Sequence, residues 1–160
     1  MQHKVDLCKN KFNNINIYQA LIDKEDNKEV IFNITNNGMS SSILELGTHM
    51  MNHPEVIISS KIIMKTKRLD TIIDNNNIPI SMINFINLDI QGVELNALKS
   101  MEKYLNHINY IYTEVNTEEV YKNCNLIEDI DIYLEKFGFK RVECKMWGNC
   151  GWGDAFYIKS

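Results

Sequence analysis

The sequence contains no long apolar run, no secretion signal and no excess of positive charge. A transmembrane helix needs about 20 consecutive apolar residues, and no stretch comes near that length, so we expect no membrane partner. A net charge of −4 provides no basic surface of the kind that binds nucleic acid. The cysteines are scattered without metal-ligand spacing, which favours a cytoplasmic protein with free thiols, although a Cys144–Cys150 bridge stays open.

The chain has 160 residues and shows no internal repeat or linker, which predicts a single domain over residues 1–160. The first half of the sequence predicts a series of short helices and strands. Apolar spacing and β-branched residues predict a helix over 3–12, strands over 15–22, 29–34 and 56–66, and a helix over 69–73. The first two strands are expected to form an antiparallel pair. The serines at 40–42 are expected to cap a short helix that runs through Leu46.

The central stretch, residues 84–98, predicts a buried strand followed by a tight turn and a helix. Asp89 ends the strand and Gly92 makes the turn. Four apolar residues with helical spacing then form one face: Ala97, Leu98, Met101 and Leu105. Open α/β sheets bind ligands at the carboxyl ends of their strands, so the pattern places Asp89 in a ligand site.

The last third predicts a strand over 108–115, with Glu114 near its end, and an amphipathic helix over 126–137 that stops at Gly138. Residues 139–147 and 155–158 are expected to form a terminal antiparallel pair joined by a glycine-rich loop. The overall expectation is an α/β fold.

Segment 88–94, Leu-Asp-Ile-Gln-Gly-Val-Glu, resembles the signature of the FkbM-type S-adenosylmethionine-dependent methyltransferases. Further pieces match in the expected order, from about residue 14 to residue 159: the serine run at 40–42, Arg68-Leu69-Asp70, Thr113-Glu114-Val115, Phe137-Gly138-Phe139 and Trp152-Gly153-Asp154. The resemblance implies methyl transfer from S-adenosylmethionine to a hydroxyl of a sugar, glycan or small metabolite.

The resemblance also implies a Rossmann-like class I methyltransferase sheet with strand order 3-2-1-4-5-7-6. Residues 15–22 would be strand 3 and residues 85–89 strand 4, so the sheet is partial, with its first two strands missing and the chain truncated. The fourteen residues ahead of Ile15 contain no glycine, whereas a cofactor cradle needs glycines and a helix N-terminus. Three outcomes are open: strand 3 pairs with strand 4, a second copy or complementing chain fills the slot, or the chain is a poorly folding remnant.

Three carboxylates are candidate catalytic groups: Asp89, Glu94 and Glu114. Each also has a structural interpretation, because Asp89 could cap the turn and Glu94 suits the first turn of a helix. The resemblance further places Asp89, Gln91 and Gly92 in contact with the cofactor.

Candidate substrate-binding residues are Ser41, Ser42, His49, Trp147 and Trp152. The serines could equally cap a helix, and the tryptophans could equally belong to the core. His49 and His53 share a helical spacing, but they have no third ligand nearby, so no metal site is predicted. The alternative to an enzyme is a non-catalytic remnant or interaction module that binds a partner through an open sheet edge.

Overall fold

A computed structural model describes residues 2–12 and 15–160, and its strands form two separate sheets. The elements in chain order are α1 (Gln2–Lys11), β1 (Leu21–Ile22), β2 (Glu29–Thr35), α2 (His49–Asn52), β3 (Ile58–Lys67), α3 (Leu69–Asn75), β4 (Phe85–Leu88), α4 (Glu94–Ser100), β5 (Tyr110–Asn116), α5 (Ile127–Glu135), β6 (Phe139–Met146) and β7 (Trp152–Lys159). The fold is mixed α/β, as the sequence predicts.

The larger sheet has the strand order β4-β5-β7-β6. β4 and β5 are parallel, with Leu88 opposite Thr113, so their carboxyl ends meet at one edge of the sheet. β7 runs antiparallel between β5 and β6, which confirms the predicted C-terminal pair. Within the described residues β4 pairs with β5 alone and forms one edge of this sheet.

The core of the larger sheet lies beneath α4, α5 and the 3₁₀ turn Glu102–His107. The four residues of the predicted apolar face are all buried, with exposed fractions of 0 to 2%: Ala97, Leu98, Met101 and Leu105. The α-helix ends at Ser100, and the chain continues as the 3₁₀ turn, which keeps the same face towards the strands. Burial of these aliphatic side chains fixes β4 and β5 against α4.

The smaller sheet has the order β1-β3-β2 and corrects two sequence predictions. The partner of β2 is β3, in antiparallel register, and β1 pairs with β3 in parallel. The predicted strand over 15–22 is wrong for most of its length, because only Leu21 and Ile22 join a sheet. Ile15 and Tyr18 are exposed, and β-branched composition does not form a strand where no neighbour supplies hydrogen bonds.

The predicted helix from the serine run through Leu46 is also wrong. This segment is irregular, with bends, and its backbone pairs only as isolated bridges, Asn33 with Ser42 and Leu46 with Tyr121. The Asn37 side chain accepts hydrogen bonds from the backbone N–H groups of Met39 and Ser40 at 3.1 Å. Asn and Ser side chains that bond nearby backbone compete with helix formation in this way.

Polar contacts join the smaller sheet to the larger one. The Arg68 guanidinium donates to both carboxylate oxygens of Asp70, at 2.9 and 2.8 Å, and to the backbone carbonyls of Lys24 and Ser100. The Asn96 side chain on α4 donates to Asp23 at 2.8 Å. The Arg68-Leu69-Asp70 segment therefore links the end of β3 to α4.

The predicted N-terminal helix agrees with α1, which ends at Lys11, whereas the predicted break at residues 13–14 lies outside the described residues. In the described part of the chain, no helix has the length and apolar character needed to cross a membrane. The cysteines in this part are all free thiols, and Cys144 and Cys150 are not bridged.

Candidate functional site

The turn after β4 is shaped by two consecutive residues with left-handed backbone. Gln91 has φ +61° and Gly92 has φ +98°; glycine adopts this conformation freely, and a side chain does so at a cost. A Cβ on Gly92 would also lie 3.1 to 3.2 Å from the side chains of Tyr121, Cys124 and Leu44. The turn therefore packs closely against the segment that follows β5.

Glu94 stabilises this turn from beneath. Its carboxylate is 2% exposed and accepts the backbone N–H groups of Ile90 at 3.0 Å and of Gly92 at 3.1 Å. Burial raises the pKa of Glu94 to about 7, although the two backbone hydrogen bonds favour the charged form and lower the pKa. The Glu94 side chain thus occupies the backbone donors of Ile90 and Gly92, so these two groups do not face a ligand.

The Gln91 side chain joins the two carboxylates at the ends of β4 and β5. Its Nε2 group donates to Asp89 Oδ1 at 2.6 Å and to Glu114 Oε2 at 2.8 Å. Both amide hydrogens are therefore used within the protein. Asp89 is exposed whereas Glu114 is 5% exposed, so the pair presents one accessible and one buried carboxyl group.

Tyr121 fixes the orientation of the Gln91 amide. Its hydroxyl donates to Gln91 Oε1 at 2.5 Å, which leaves the NH₂ group to face the two carboxylates. The Ser42 hydroxyl donates to the backbone carbonyl of Gln91 at 2.7 Å. Side chain and backbone of Gln91 are thus both held, which explains how a strained φ persists here.

Burial, followed by the charges of Glu94 and Asp89, raises the pKa of Glu114 to about 9. Glu114 therefore holds a proton near neutral pH, beside the carboxylate of Asp89. Such a pair can accept a hydroxyl hydrogen on its accessible member, Asp89, while the buried member keeps its proton.

A cleft of about 600 Å³ opens in front of this pair, within the size range of small-molecule sites. Its lining residues come from the connection between β2 and β3, from the ends of β4 and β5 with the loops that follow them, and from the start of β7: Asn37, Met39, Ser40, His49, His53, Glu55, Val56, Asp89, Gln91, Glu114, Val120, Tyr121 and Trp152. No lysine or arginine is among them. Across the described residues, no three metal-binding side chains are grouped as a metal site would require.

His49 is carried into the cleft by a segment clamped against the chain that follows β5. The backbone N–H groups of Gly47 and Thr48 donate to the carbonyls of Val120 and Glu119, at 2.8 and 2.9 Å. A Cβ on residue 47 would lie 2.0 Å from the Glu119 carbonyl oxygen, so this approach requires glycine.

The His49 imidazole is 7% exposed, and its Nδ1 is buried without a hydrogen-bond partner. Its ring lies 5.2 Å from that of His53 and 5.9 Å from that of Tyr121, between ring centroids. Burial, with a smaller effect of His53, lowers the pKa of His49. The imidazole is therefore neutral near pH 7.

The other residues proposed from the sequence are placed differently. Trp152 lines the cleft, whereas Trp147 lies outside it, 41% exposed, with its indole N–H donating to Asp154 at 2.8 Å. The Ser41 hydroxyl donates to the Gly38 carbonyl and Ser42 supports Gln91, so neither serine lines the cleft. The functional roles of these residues stay predictions.

Sequence reasoning missed two contributors, Tyr121, which lines the cleft, and Gly47. Of the serine run at 40–42, only Ser40 lines the cleft. No local pattern marks Tyr121, since its partner Gln91 is 30 residues away. The only available signal was a tyrosine a few residues after the predicted strand over 108–115.

A second depression, of about 590 Å³, lies between α5 and β6, away from the paired carboxylates. Its charged groups bond to one another: Arg141 donates to Asp131 at 3.1 and 2.8 Å, and the Tyr157 hydroxyl donates to Asp131 at 2.7 Å. Because Arg141, Asp131 and Tyr157 are bonded to one another, and because this depression lies away from the paired carboxylates, the first cleft is the better candidate.

The fold and cleft define an α/β protein with a paired-carboxylate site at the carboxyl ends of parallel strands. The family model described as the methyltransferase FkbM domain matches residues 3–141. The chain therefore belongs to the FkbM methyltransferase family, which confirms the resemblance seen in the sequence. No protein of curated function and no solved structure matches the chain.

Proposed function

We propose that this domain takes part in methyl transfer from S-adenosylmethionine to a hydroxyl of a sugar, glycan or small metabolite. The observation that carries the proposal is the Asp89–Gln91–Glu114 arrangement, in which two carboxyl groups from adjacent parallel strands open on one cleft. The accessible Asp89 carboxylate accepts the hydrogen of the acceptor hydroxyl and orients its oxygen. Glu114 and Gln91 hold Asp89 in position.

The strand order supports a partial Rossmann-like methyltransferase sheet. The observed order β4-β5-β7-β6, with only β7 antiparallel to β5, agrees with the last four strands of the order that the resemblance implies. The smaller sheet does not extend it, because β1 pairs with β3 and not with β4. This observation removes direct pairing of strands 3 and 4 from the outcomes left open by the sequence.

The cleft fits part of S-adenosylmethionine. Carboxylates suit the cationic sulfonium and amino groups, and they suit ribose hydroxyls, but no cationic side chain lines the cleft to meet the cofactor carboxylate. The backbone N–H groups of Ile90 and Gly92 are already bonded to Glu94. We therefore assign the cleft to the acceptor side, with the groups that hold the amino-acid end of the cofactor supplied from elsewhere, such as a second copy or a complementing chain.

The alternative, an interaction module without catalysis, is favoured by one observation. β4 forms an edge of its sheet among the described residues, and Phe85 at its start is 50% exposed. An edge strand offers unpaired backbone groups to a strand from another chain. In this case the partner would be a protein and the cleft would have no reaction to perform.

Calorimetric titration of the purified chain with S-adenosylmethionine and S-adenosylhomocysteine, with the mass in solution measured in parallel, tests the proposal. Saturable binding by an assembly heavier than one chain is the expected result. Asp89→Asn should then abolish methyl transfer in an acceptor screen, while Glu135→Gln, an exposed carboxylate on α5, leaves it unchanged. A folded chain that binds neither compound contradicts the enzyme proposal and favours the interaction module.

A further inference from the structure

The two edges of the larger sheet differ in how well they are protected against another strand. The edge strand β6 has a bulge and four exposed charged side chains: Lys140, Arg141, Glu143 and Lys145. Bulges and charges of this kind discourage pairing at a sheet edge. The opposite edge strand among the described residues, β4, has the uncharged sequence Phe-Ile-Asn-Leu and a regular register with β5. The β4 edge is therefore open to a further strand.

The register of β4 shows which of its backbone groups face outward. The Tyr110 N–H group donates to the Asn84 carbonyl at 3.0 Å, and successive residues of a strand turn their backbone groups to opposite sides. The backbone groups of Ile86 consequently face β5, whereas the N–H and C=O groups of Phe85 and Asn87 face away from it. These outward groups are the ones that an added strand would bond.

One face of the larger sheet is uncovered as well. Phe85, Tyr110 and Tyr112 are 50, 39 and 38% exposed, and the Phe156 ring stacks on that of Tyr110 with 6.2 Å between centroids. The four rings share a face because Phe85 is opposite Tyr110 and Tyr112 is opposite Phe156. We call this surface the aromatic face. Sheets that contain parallel strands are normally covered on both faces, so the aromatic face lacks a cover.

The chain also has a helix and an extended segment without a place in its own core. Neither apolar cluster contains a described residue of α1, and Cys8 on α1 and Phe12 directly after it are exposed. A helix of this length without packing is marginal in water. Residues 15–20 make no backbone hydrogen bond to another described segment, although their composition favours a strand. We call residues 5–12 and 15–20 the N-terminal arm.

We propose that the N-terminal arm of one copy docks on the larger sheet of a second copy, in a reciprocal dimer of this chain. Residues 15–20 pair with β4 through the outward groups of Phe85 and Asn87, and α1 covers the aromatic face. Six residues are enough to follow the four of β4. Two copies that exchange identical arms about a twofold axis form a closed dimer. The proposal does not depend on methyl transfer.

A second copy fits better than the two other occupants that the structure suggests. A β4–β4 contact would pair the edges but leave both aromatic faces bare, whereas the arm supplies a strand and a helix together. Docking of the arm within its own chain is disfavoured because Leu21 and Ile22, which follow directly, are paired with β3 in the smaller sheet. Both alternatives are separated from the proposal by the experiments below.

The first experiment is the mass in solution of the purified chain, measured by light scattering across a dilution series. The expected result is a dimer that dissociates on dilution. Phe85→Lys adds a charge at the open edge and should weaken association at least about tenfold. Ile63→Lys, at a still more exposed position on the smaller sheet, should not. A chain that stays monomeric at about 1 mM, or equal weakening by both variants, overturns the proposal.

Proline variants test the arm itself. Of Ile17→Pro and Tyr18→Pro, one must lose an N–H group that faces β4, because neighbouring residues of a strand face opposite sides. At least one of them should therefore be monomeric where the parent chain is a dimer. Mixed with Phe85→Lys, which keeps its arm, that variant should form a heterodimer with one docked arm. Parental association of both proline variants would indicate a β4–β4 or other contact and overturn the exchange of arms.

The rate of thiol modification tests whether α1 covers the aromatic face. Cys8 is exposed in the single chain, and so is Cys144 on the side of α5. In the dimer Cys8 should react several-fold more slowly than in monomeric Phe85→Lys, whereas Cys144 should react equally in both. Equal rates at Cys8 contradict the helix placement. Protection of Cys8 that persists in diluted, monomeric parent chain would show docking within one chain and overturn the dimer.

These outcomes are distinguishable from failure of the proposed function. A dimer with exchanged arms that binds no S-adenosylmethionine would keep this proposal and remove methyl transfer. A monomer that binds the cofactor saturably would keep the enzyme and overturn the exchange of arms.

Discussion

The two sheets differ in how much apolar core supports them. The larger sheet lies on a contiguous apolar core that includes Leu98, Ile111 and Leu134, each with 0% exposure. The smaller sheet leaves large apolar side chains exposed, Ile63 at 75% and Ile31 at 52%. It is attached by polar bonds such as those of Arg68 and Asn96, and by fewer apolar contacts, those of Ile22 and Ile58.

The difference matters for the site, because the cleft takes groups from both sides. Asp89, Gln91 and Glu114 belong to the apolar-packed side, where the strands fix their positions. Ser40 and His49 come from the connection between β2 and β3, which packs on the smaller cluster of Leu46, Val56 and Tyr121. Because that cluster is smaller than the core under β4 and β5, we expect the His49 side of the cleft to open more easily than the carboxylate side.

The largest effect should come from the apolar core. Leu98→Ala removes a fully buried side chain and should lower the free energy of unfolding by about 2–5 kcal/mol. Ile63→Ala, at an exposed position of β3, should change it by less than about 0.5 kcal/mol. Urea denaturation measures both, and comparable losses would show that the two sheets do not differ as described.

The pH dependence of stability should come from the carboxylate wall. Glu94 and Glu114 have folded pKa values of about 7 and about 9, raised above their ordinary values. Their contribution to stability is therefore fully present below about pH 4.5 and is lost as pH rises through 7 to 9. We expect a progressive loss of stability between pH 5 and pH 9, on the order of several kcal/mol, because both groups are buried.

Glu114→Gln mimics the protonated side chain and should remove most of this dependence, so that the variant unfolds at higher urea than the parent chain at pH 9. Denaturation at pH 5, 7 and 9 measures the effect. Glu135→Gln should keep the parental slope. A Glu114→Gln chain with an unchanged slope would mean that Glu114 is charged in the folded state.

A smaller and more local effect should follow from Arg68→Lys. Lysine cannot bond both oxygens of Asp70 and reach the Ser100 carbonyl at the same time, so we expect a loss of about 1–3 kcal/mol. Native-state hydrogen exchange should report it in β1 and β3 before β5. Arg141→Lys, at the partly exposed pair that joins β6 to Asp131 on α5, should leave exchange in β1 and β3 unchanged. Equal increases in exchange rate in both sheets would contradict the conclusion that Arg68 acts mainly in attaching the smaller sheet.

The smallest effect on stability should come from Tyr121→Phe, which leaves the side-chain oxygen of Gln91, Oε1, without its hydrogen-bond donor. We expect a loss of about 1 kcal/mol, together with a change in the two Gln91 side-chain N–H signals because the amide is free to flip. Tyr110→Phe, at a partly exposed ring on β5, should change neither quantity. Unaltered Gln91 signals in Tyr121→Phe would show that the carboxylates alone orient the amide.

The sequence predicted the larger sheet well and the smaller one poorly. The reason is that the larger sheet packs on a periodic apolar face, whereas the smaller sheet depends on pairing between distant segments. Periodic aliphatic residues such as Ala97 and Leu98 identify a buried face from local spacing alone. The pairing of β3 with both β1 and β2 depends on hydrogen bonds between distant segments, which composition does not encode. Strand propensity over residues 15–22 was therefore a poor guide.

The same limit applies to the candidate site. Asp89 and Glu114 were predictable, because each ends a recognisable strand. The bond between Tyr121 and Gln91 and the placement of His49 were not, because each depends on how separate loops meet in space. The serine run was mispredicted for a related reason. Its composition suits a helix cap, but the Ser40 N–H group bonds to the Asn37 side chain and the Ser42 backbone bonds to that of Asn33, so no helix forms.

The close approach at Gly47 bears on how such a chain can change over generations. A single methyl group there would collide with the Glu119 carbonyl oxygen and displace the segment that carries His49, while the apolar core under the larger sheet would be untouched. A single substitution at Gly47 could therefore disrupt the cleft while the chain still folds. Such a substitution is a simple route by which a descendant protein could keep the fold and lose the function of the cleft.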